Sequence, residues 1–260
     1  MIYIVGGLGF VGSGFARYCQ ANGLEHAIIE PETYEKFKGT ACDLLINANG
    51  SSSKLLAKKD PARDMELNVA SVRKTTADFT YRRYVHISSC DVYTDCTNPE
   101  STREDHRPDI TAQHPYGFHK YLAEQCVQHA CENWLIFRMG GFIGPGMKKN
   151  AIYDILHGGP LWLDPASELQ FLHTDEAARI VMTMAHKEIS NEVFNLCGRG
   201  TVELASAVQW AAADIAVQPD SPVARYDVSI EKLSKHIEIP TSADAVEHFI
   251  GAQAGAESTT

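Results

Sequence analysis

Short apolar runs alternate along the chain with longer segments whose apolar residues recur at helical spacing. Residues 1–5 (M-I-Y-I-V) contain no charged residue, as is typical of a strand buried on both faces of a parallel sheet. Similar runs occupy residues 26–30, 42–47 and 83–89. Helical periodicity follows the first run through Phe15, Ala16 and Cys19 and returns over residues 60–79. This alternation predicts an α/β fold with a doubly wound parallel sheet, the Rossmann fold.

The segment 60–79 is predicted to be a single amphipathic helix. Pro61 stands just inside its start, where the missing amide hydrogen of proline is tolerated. Met65, Val69 and Val72 are spaced to share one face, so we expect these three side chains to be buried together.

A glycine-rich segment, G-G-L-G-F-V-G, joins the first predicted strand to the first predicted helix. Gly6 permits a tight turn, Gly9 lets the backbone approach a pyrophosphate, and Gly12 allows close packing of the helix. Phe10 and Val11 complete the loop. Because the glycines stand between a strand and a helix, these five residues predict a dinucleotide-binding loop rather than a glycine-rich turn without a ligand.

Two further strand ends are expected to contact the dinucleotide. Residues 26–30 end in Glu30, whose carboxylate can accept hydrogen bonds from ribose hydroxyls and would repel a 2′-phosphate. This position favours NAD over NADP, although a solvated strand end is the alternative interpretation. The run 42–47 ends in Asn47, which Ala48 follows, at the carboxyl edge of the sheet where a cofactor lies.

Tyr116 and Lys120, in the stretch H-P-Y-G-F-H-K, are the candidate proton-transfer pair. Four residues make about one helical turn, so both side chains project from the same face. An ammonium one turn away favours the phenolate, and we therefore expect the pKa of Tyr116 to be lowered toward a useful range. Ser89, at the end of the run 83–89, can donate to the same substrate oxygen that Tyr116 addresses.

Composition limits the classes of partner and compartment. The net charge of −10 argues against nucleic acid or an anionic membrane surface as the main partner. The chain enters a strand at once and contains no apolar run of transmembrane length, which predicts neither a signal peptide nor a membrane span. Seven scattered cysteines, with no C-x-x-C or Cys/His cluster, predict reduced thiols in a cytoplasmic protein and no metal site.

The order of these motifs resembles the extended short-chain dehydrogenase/reductases, in particular their NAD-dependent epimerase/dehydratase branch. The resemblance covers about residues 1–200. Besides the glycine loop, it rests on the pair Asn68-Val69 and on H-I-S-S-C-D-V-Y at 86–93, Y-G-F-H-K at 116–120, F-R-M-G-G-F-I-G-P-G at 137–146, Q-F-L-H-T-D-E-A-A at 170–178 and N-L-C-G at 195–198.

This resemblance implies roles for individual residues. Ser89, Tyr116 and Lys120 would form the catalytic group, with Lys120 also holding the nicotinamide ribose and Asn68 acting as a helper from its own helix. The segment after Gly140, including Gly141 and Phe142, would line the nicotinamide and the substrate.

The chain departs from the family pattern at several positions. Cys90-Asp91 stands where the dehydratases carry an Asp-Glu pair; a thiol is a poor replacement for a carboxylic acid, although Asp91 can still act as a base. Gly141 stands where enzymes of nucleotide sugars often carry Asn, and Glu168-Leu169 where they often carry Arg. Lys148 can supply the missing positive charge to a diphosphate, or it is a solvated loop residue.

We therefore expect an NAD-dependent, sugar-modifying enzyme that transfers hydride at a secondary alcohol or ketone of a nucleotide sugar or related polyol. A dehydrogenase or reductase of a small carbonyl compound is one alternative, since the chemistry at the carbinol is shared. A non-catalytic NAD-binding regulatory protein is the alternative of another class.

The expected organisation is an NAD-binding domain over residues 1–140, to which 171–198 return, and a small C-terminal substrate-binding region over 141–250. Residues 251–260 are predicted to be a flexible tail. The resemblance implies a homodimer in which the Tyr116 helix and the helix around residues 61–79 pair across a twofold axis. An apolar stripe through Leu122, Cys126, Val127 and Ala130 of the Tyr116 helix fits this, although it can equally face its own sheet.

Overall fold

The computed structural model describes the backbone of residues 1–257 and the side chains through residue 255. The chain forms two compact units. Unit 1 comprises Met1–Thr94, Glu104–Met139 and Asp175–Leu196. Unit 2 comprises Asp95–Arg103, Gly140–Thr174 and the chain from Cys197 onward. Residues 95–103, which were expected in the NAD-binding domain, belong to unit 2.

Ten strands occur in the described residues: β1 Ile2–Val5, β2 His26–Ile29, β3 Ala41–Asn47, β4 Thr80–Ser89, β5 Trp134–Met139, β6 Gly141–Ile143, β7 Glu168–Leu169, β8 Phe171–His173, β9 Glu192–Leu196 and β10 Val202–Glu203. The α-helices of the same part of the chain are α1 Gly12–Ala21, α2 Tyr34–Phe37, α3 Lys54–Lys59, α4 Pro61–Met65, α5 Ser71–Asp78, α6 Pro115–Ala130, α7 Ala151–His157, α8 Thr174–Ala185, α9 Leu204–Trp210, α10 Glu231–Ser234 and α11 Ser242–Glu257.

Unit 1 contains a six-stranded sheet in the order β2-β1-β3-β4-β5-β9, and all its neighbouring strands are parallel. The predicted fold class is confirmed. The chain reverses direction across the sheet at β1, which pairs with β2 on one side and β3 on the other. In open α/β sheets, ligands bind outside the carboxyl ends of the strands at such a switch point. Residues 6 and 48 therefore stand where a ligand is expected.

The core of unit 1 is rich in aromatic side chains. Tyr3 packs edge-on against Phe37 and Phe79, with ring centroids 5.5 and 6.1 Å apart. Tyr84, on β4, is fully buried, and its hydroxyl hydrogen-bonds within the core to Asn47 and Thr75. Buried aromatic area of this kind is a large part of the apolar stabilisation of a domain.

The predicted helix over 60–79 is interrupted by a π-helical segment, Glu66–Ala70, between α4 and α5. A π turn contains an extra residue, which rotates the face that the preceding turn presents. The prediction that Met65, Val69 and Val72 are buried on one face is therefore wrong for Met65. Its side chain is 43% exposed, whereas Val69 and Val72 are buried. Asp64 occupies the buried position instead.

A buried ion pair joins α6 to β5. The Arg138 guanidinium donates from Nε to Glu124 Oε1 at 3.0 Å and from Nη2 to Glu124 Oε2 at 2.8 Å. Arg138 Nη1 also donates to the Tyr93 hydroxyl, which in turn donates to Asn195 on β9. Ser88 donates to the same carboxylate of Glu124. Each charge in this network is therefore compensated by hydrogen bonds.

Unit 2 contains two small sheets: β6 pairs with β8 in parallel, and β7 pairs with β10 in antiparallel orientation. Its apolar core includes Ile143, Phe171 and Val246. The helix α11 reaches residue 257, so the predicted flexible tail is helical over 251–257, where alanines favour a helix. The remaining residues of that predicted tail, 258–260, lie outside the described part of the chain.

No helix in the described residues combines the length and the apolar character that crossing a membrane requires.

Candidate active site

The glycine loop connects β1 to α1 at the switch point of the sheet. Gly6 has φ +77°, in the left-handed region that favours glycine, and its amide donates to the carbonyl of Ile29 at the end of β2. A Cβ atom at Gly12 would overlap the carbonyl oxygen of Gly6. Any residue other than glycine at position 12 would therefore clash with the backbone of the loop. Phe10 and Val11 are half-buried at the start of α1.

These features fit a dinucleotide. The loop leaves backbone groups accessible at the beginning of a helix of ten residues, Gly12–Ala21, whose amino end favours an anionic pyrophosphate. Gly9 and Leu8 are exposed beside it.

Glu30 follows β2 and contacts the loop directly. Its Oε1 accepts a hydrogen bond from the Leu8 amide at 2.7 Å. One carboxylate oxygen therefore supports the glycine loop, a role that the sequence analysis did not predict. The same contact fixes the carboxylate at the switch point, where the adenosine ribose of a dinucleotide lies in this fold.

Asn47 does not offer its side chain to a cofactor. It is fully buried, its Nδ2 donates to Thr75 and Tyr84, and its Oδ1 accepts from the Asn49 amide. Its predicted cofactor-binding role is therefore wrong for the side chain, because a strand end that packs against α5 turns the amide inward. Ala48 is half-buried, and its amide donates to the Val5 carbonyl, which holds the ends of β1 and β3 together.

The structure brings Ser89, Tyr116 and Lys120 together around the carboxyl end of β4. Tyr116 hydrogen-bonds with Ser89, the last residue of that strand. Lys120 is buried and its Nζ donates to the Ile87 carbonyl at 3.0 Å. A Cβ atom at Gly117 would overlap the Asp91 carbonyl oxygen, so only glycine lets the first turn of α6 lie this close to the turn after β4.

The pKa of Tyr116 moves in the direction opposite to the one predicted. Burial raises the pKa of Tyr116, and the Asp91 carboxylate raises it further, while the hydrogen bond with Ser89 and the Lys54 ammonium act against this. Burial also lowers the pKa of Lys120 to about 8, although Glu124 and Asp64 oppose that change. Lys120 therefore remains mostly protonated near neutral pH, and its ammonium is held at the backbone of β4.

Asp91 lies directly beside the Ser89 hydroxyl. Its Oδ2 accepts from Ser89 Oγ at 3.3 Å, and its Oδ1 lies 2.6 Å from Lys54 Nζ. Burial alone would raise the pKa of Asp91, but His114 and Lys54 outweigh burial and hold this pKa below its usual range. The neighbouring Cys90 is buried, and its Sγ donates to the Arg138 carbonyl.

Asn68, the predicted helper, lies in the π-helical segment and is buried. Its Nδ2 donates to Asp64 Oδ1 at 3.0 Å, and Asp64 Oδ2 lies 2.7 Å from His119 Nδ1. Asn68 Oδ1 has no hydrogen-bond partner among the described residues. Asp64 and His119 were not predicted from the sequence, although Asp64 precedes Asn68 by one helical turn and His119 lies inside the motif of α6.

The predicted substrate residues all lie in unit 2. Gly141 opens β6, and a Cβ atom there would lie 2.5 Å from the Gln170 carbonyl oxygen, so this backbone has no room for the family's Asn. Phe142 is buried, which argues against its predicted contact with substrate through the ring. Lys148 is exposed. Arg225, which the sequence analysis did not single out, pairs with Glu168 at 3.0 Å, beside the position where Arg was expected.

The family of this chain follows from a comparison with known sequence families. The sequence model of a family described as the NAD dependent epimerase/dehydratase family matches residues 2–197. No curated protein sequence matches the chain.

Solved structures share its fold at low identity. MoeE5 in complex with UDP-glucose and NAD is 15% identical with a TM-score of 0.82, over 98% of this chain and 99% of that chain. A UDP-galactose 4-epimerase is 20% identical with a TM-score of 0.78, over 98% and 99%. TunA, an NAD-dependent NDP-hexosamine 5,6-dehydratase of tunicamycin biosynthesis, is 16% identical with a TM-score of 0.79, over 98% and 97%. With the family match over most of its length, this chain belongs to the NAD-dependent epimerase/dehydratase family, enzymes of the short-chain dehydrogenase/reductase type that use NAD.

Proposed function

We propose that this enzyme oxidises and reduces a secondary alcohol of a nucleotide sugar or a related polyol, with Ser89, Tyr116 and Lys120 as its catalytic group. The observation that carries the proposal is the convergence of these three residues on the carboxyl end of β4. Tyr116 meets Ser89 there, and the Lys120 ammonium is fixed on the Ile87 carbonyl.

Each of these side chains has a distinct task. Bound NAD supplies the acceptor for the hydride that leaves the carbinol carbon. Tyr116 takes the hydroxyl proton of the substrate, and returns it when the ketone is reduced. Ser89 orients the substrate oxygen and stabilises its developing charge. Lys120 stabilises the phenolate form of Tyr116 electrostatically.

The surroundings of Ser89 favour hydride transfer over elimination. A dehydration needs a protonated acid to assist the departing hydroxide. Cys90 is buried and bonded to the backbone of β5, and Asp91 is ionised beside Lys54. The Asp91 carboxylate therefore has no proton to give at neutral pH, and the Cys90 thiol is a much weaker acid than a carboxylic acid and already donates to the backbone. We therefore propose epimerisation, in which the hydride returns to the substrate, ahead of dehydration.

A nucleotide sugar is the proposed substrate class because MoeE5 was solved with UDP-glucose or UDP-glucuronic acid and NAD. A diphosphate needs positive charge, and a guanidinium suits its geometry. Arg225 and the exposed Lys148 of unit 2 are the candidates for this contact. Arg225 would have to exchange its ion pair with Glu168 for the phosphate.

Mass spectrometry of the purified, denatured enzyme and a substrate panel together test this proposal. The panel contains UDP-, dTDP-, GDP- and CDP-sugars beside simple secondary alcohols, assayed for NADH absorbance and for product isomers. We expect retained NAD and an isomerised nucleotide sugar. An empty site with net NADH formation would assign a dissociating dehydrogenase instead, and a 5,6-unsaturated or 4-keto-6-deoxy product would contradict the argument from Cys90 and Asp91.

We predict that wild-type enzyme binds NAD more tightly than NADP because the Glu30 carboxylate repels a 2′-phosphate. Glu30→Gln removes the charge and keeps an oxygen that can accept from the Leu8 amide. We expect the preference of this variant for NAD over NADP to be about tenfold smaller than that of wild type, because a charge repulsion of about 1.4 kcal/mol is removed. Glu30→Ala should weaken both cofactors, because the loop also loses its support. Titration of both cofactors checks this, and tighter binding of NADP by wild type would refute it.

We further propose a cytoplasmic homodimer. The seven cysteines form no disulfide in the described part of the chain, which is typical of a reducing compartment. In α6, Val127 packs into the core of unit 1, so it does not belong to a dimer surface, whereas Leu122 and Cys126 are only half-buried and remain candidates. A concentration-independent monomer mass in light scattering would contradict the dimer.

A further inference from the structure

A charged cluster beside Ser89 is not explained by the roles assigned so far. We call it the Asp91 cluster and define it as Lys54, Asp91 and His114. Lys54 opens α3, Asp91 follows β4, and His114 precedes α6. Three separate segments of unit 1 thus place charged or titratable groups around one carboxylate.

The cluster reaches Tyr116 through a continuous set of contacts. Lys54 Nζ lies 2.6 Å from Asp91 Oδ1, and the other carboxylate oxygen accepts from Ser89 Oγ at 3.3 Å. Ser89 in turn hydrogen-bonds with Tyr116. Lys54 therefore acts on the phenol through Asp91 and Ser89, without touching the substrate oxygen that Tyr116 addresses.

His114 closes the cluster on its other side. Its Nδ1 accepts from the Gly117 amide at 3.2 Å, which caps α6 and leaves Nε2 as the protonated nitrogen. Nε2 lies 3.9 Å from Asp91 Oδ1, and the ring stacks on Tyr116 with centroids 6.2 Å apart. His114 therefore holds Tyr116 in place mainly by packing and by the helix cap.

Asp91 creates an electrostatic conflict at this site. Its carboxylate orients the Ser89 hydroxyl, which benefits catalysis, but a negative charge beside Tyr116 opposes formation of the phenolate. The side chain of Asp91 is only 15% exposed, so water screens this repulsion poorly. The Lys54 ammonium, 2.6 Å from the Asp91 carboxylate, opposes this repulsion.

We propose that Lys54 is a positioning residue of the catalytic site: its ammonium neutralises Asp91, so that this carboxylate holds Ser89 in place without suppressing the ionisation of Tyr116. The proposal rests on the proposed function, since it concerns the proton carrier of that reaction. It adds a residue that lies outside the Ser/Tyr/Lys group and acts on it at a distance.

The other charged or titratable groups near Tyr116 are the same in wild type and in the Lys54 and Asp91 variants described below. They comprise Asp64 from α4, Lys120 and His119 from α6 itself, His114 at its cap, and the buried His86 of β4, whose pKa burial and Lys120 lower so that the ring stays neutral.

A direct titration of Tyr116 tests the proposal without any substrate. Tyrosine labelled with ¹³C at the ζ carbon reports each phenol by NMR in the NAD-loaded enzyme, and Tyr116→Phe identifies the signal. We expect Lys54→Met to raise the apparent pKa of Tyr116 by about one unit, and Asp91→Asn to lower it by a similar amount. In the double variant the two effects should cancel, because neither charge remains.

Three control variants distinguish an effect of the Lys54 charge from an effect of altered local structure. Lys54→Arg keeps the cation and should titrate like wild type, and so should Lys58→Met, which removes an exposed lysine of the same helix. His114→Asn keeps a side-chain acceptor for the Gly117 amide, so a persistent effect of Lys54→Met in this background excludes the imidazole as its source. Unchanged titration in Lys54→Met, or a double variant that titrates like Lys54→Met rather than like wild type, would overturn the proposal.

Catalysis provides an independent readout where a substrate is found. The acidic limb of the pH profile of kcat for alcohol oxidation, which reports ionisation of Tyr116, should move with the NMR titration, to higher pH in Lys54→Met and back in the double variant, while KM changes little. If no nucleotide sugar or alcohol is turned over, the proposed function fails, yet the NMR titration still decides whether Lys54 controls Tyr116.

Discussion

Replacing Tyr116 with phenylalanine is expected to lower turnover by about two to four orders of magnitude, the usual contribution of a positioned acid or base. The change removes the oxygen that carries the proton and leaves the buried ring in place. NAD binding and the midpoint of thermal unfolding should therefore stay close to wild type. Turnover of the nucleotide sugar identified by the substrate panel is the measurement.

Tyr121→Phe is the matched control for this experiment. Tyr121 lies on the same helix, is half-buried, and is not part of the contacts around Ser89. Its variant should retain wild-type turnover. If Tyr116→Phe keeps a rate within about threefold of wild type, the assignment of Tyr116 as the proton carrier is wrong. Lys120→Met should lose turnover and cofactor affinity together, whereas Ser89→Ala should mainly lower turnover.

Arg138→Met is expected to lower the free energy of unfolding by about 3–5 kcal/mol, which is typical when one partner of a buried ion pair is removed. The Glu124 carboxylate is fully buried and would lose two hydrogen bonds from the guanidinium. The Tyr93 hydroxyl would lose its donor as well. Urea unfolding followed by tryptophan fluorescence measures the change.

Two variants make this result specific. Arg179→Met removes the guanidinium of a partly exposed pair with Glu176 and should cost no more than about 1 kcal/mol. The double variant Arg138→Met/Glu124→Leu removes both buried charges and should recover part of the loss, since no unpaired carboxylate remains. An Arg138→Met variant no less stable than Arg179→Met would contradict the assigned role of the buried pair.

Contacts within one short segment account for the successful expectations. The glycine loop, the strand runs and the Tyr116–Lys120 spacing each need only neighbouring residues, and their order predicts a parallel sheet and the edge at which a cofactor binds. The failures arise where a distant segment decides the environment. Met65 is exposed because a π turn rotates its helix, and the Asn47 amide is turned inward because α5 supplies Thr75 as its partner.

The sequence by itself determined the fold class and the glycine loop between β1 and α1, and it supplied the prediction of Ser89, Tyr116 and Lys120 as the catalytic group, because these depend on local periodicity and spacing. Only the tertiary structure decided the electrostatics of that group. Lys54 and Asp91 are 37 positions apart, and Asp64 and His119 are 55 apart, so no local pattern brings them together. From the sequence, Tyr116 has a cation one turn away and a lowered pKa. Burial and the Asp91 carboxylate raise that pKa instead, because desolvation and charge depend on what surrounds a side chain in space.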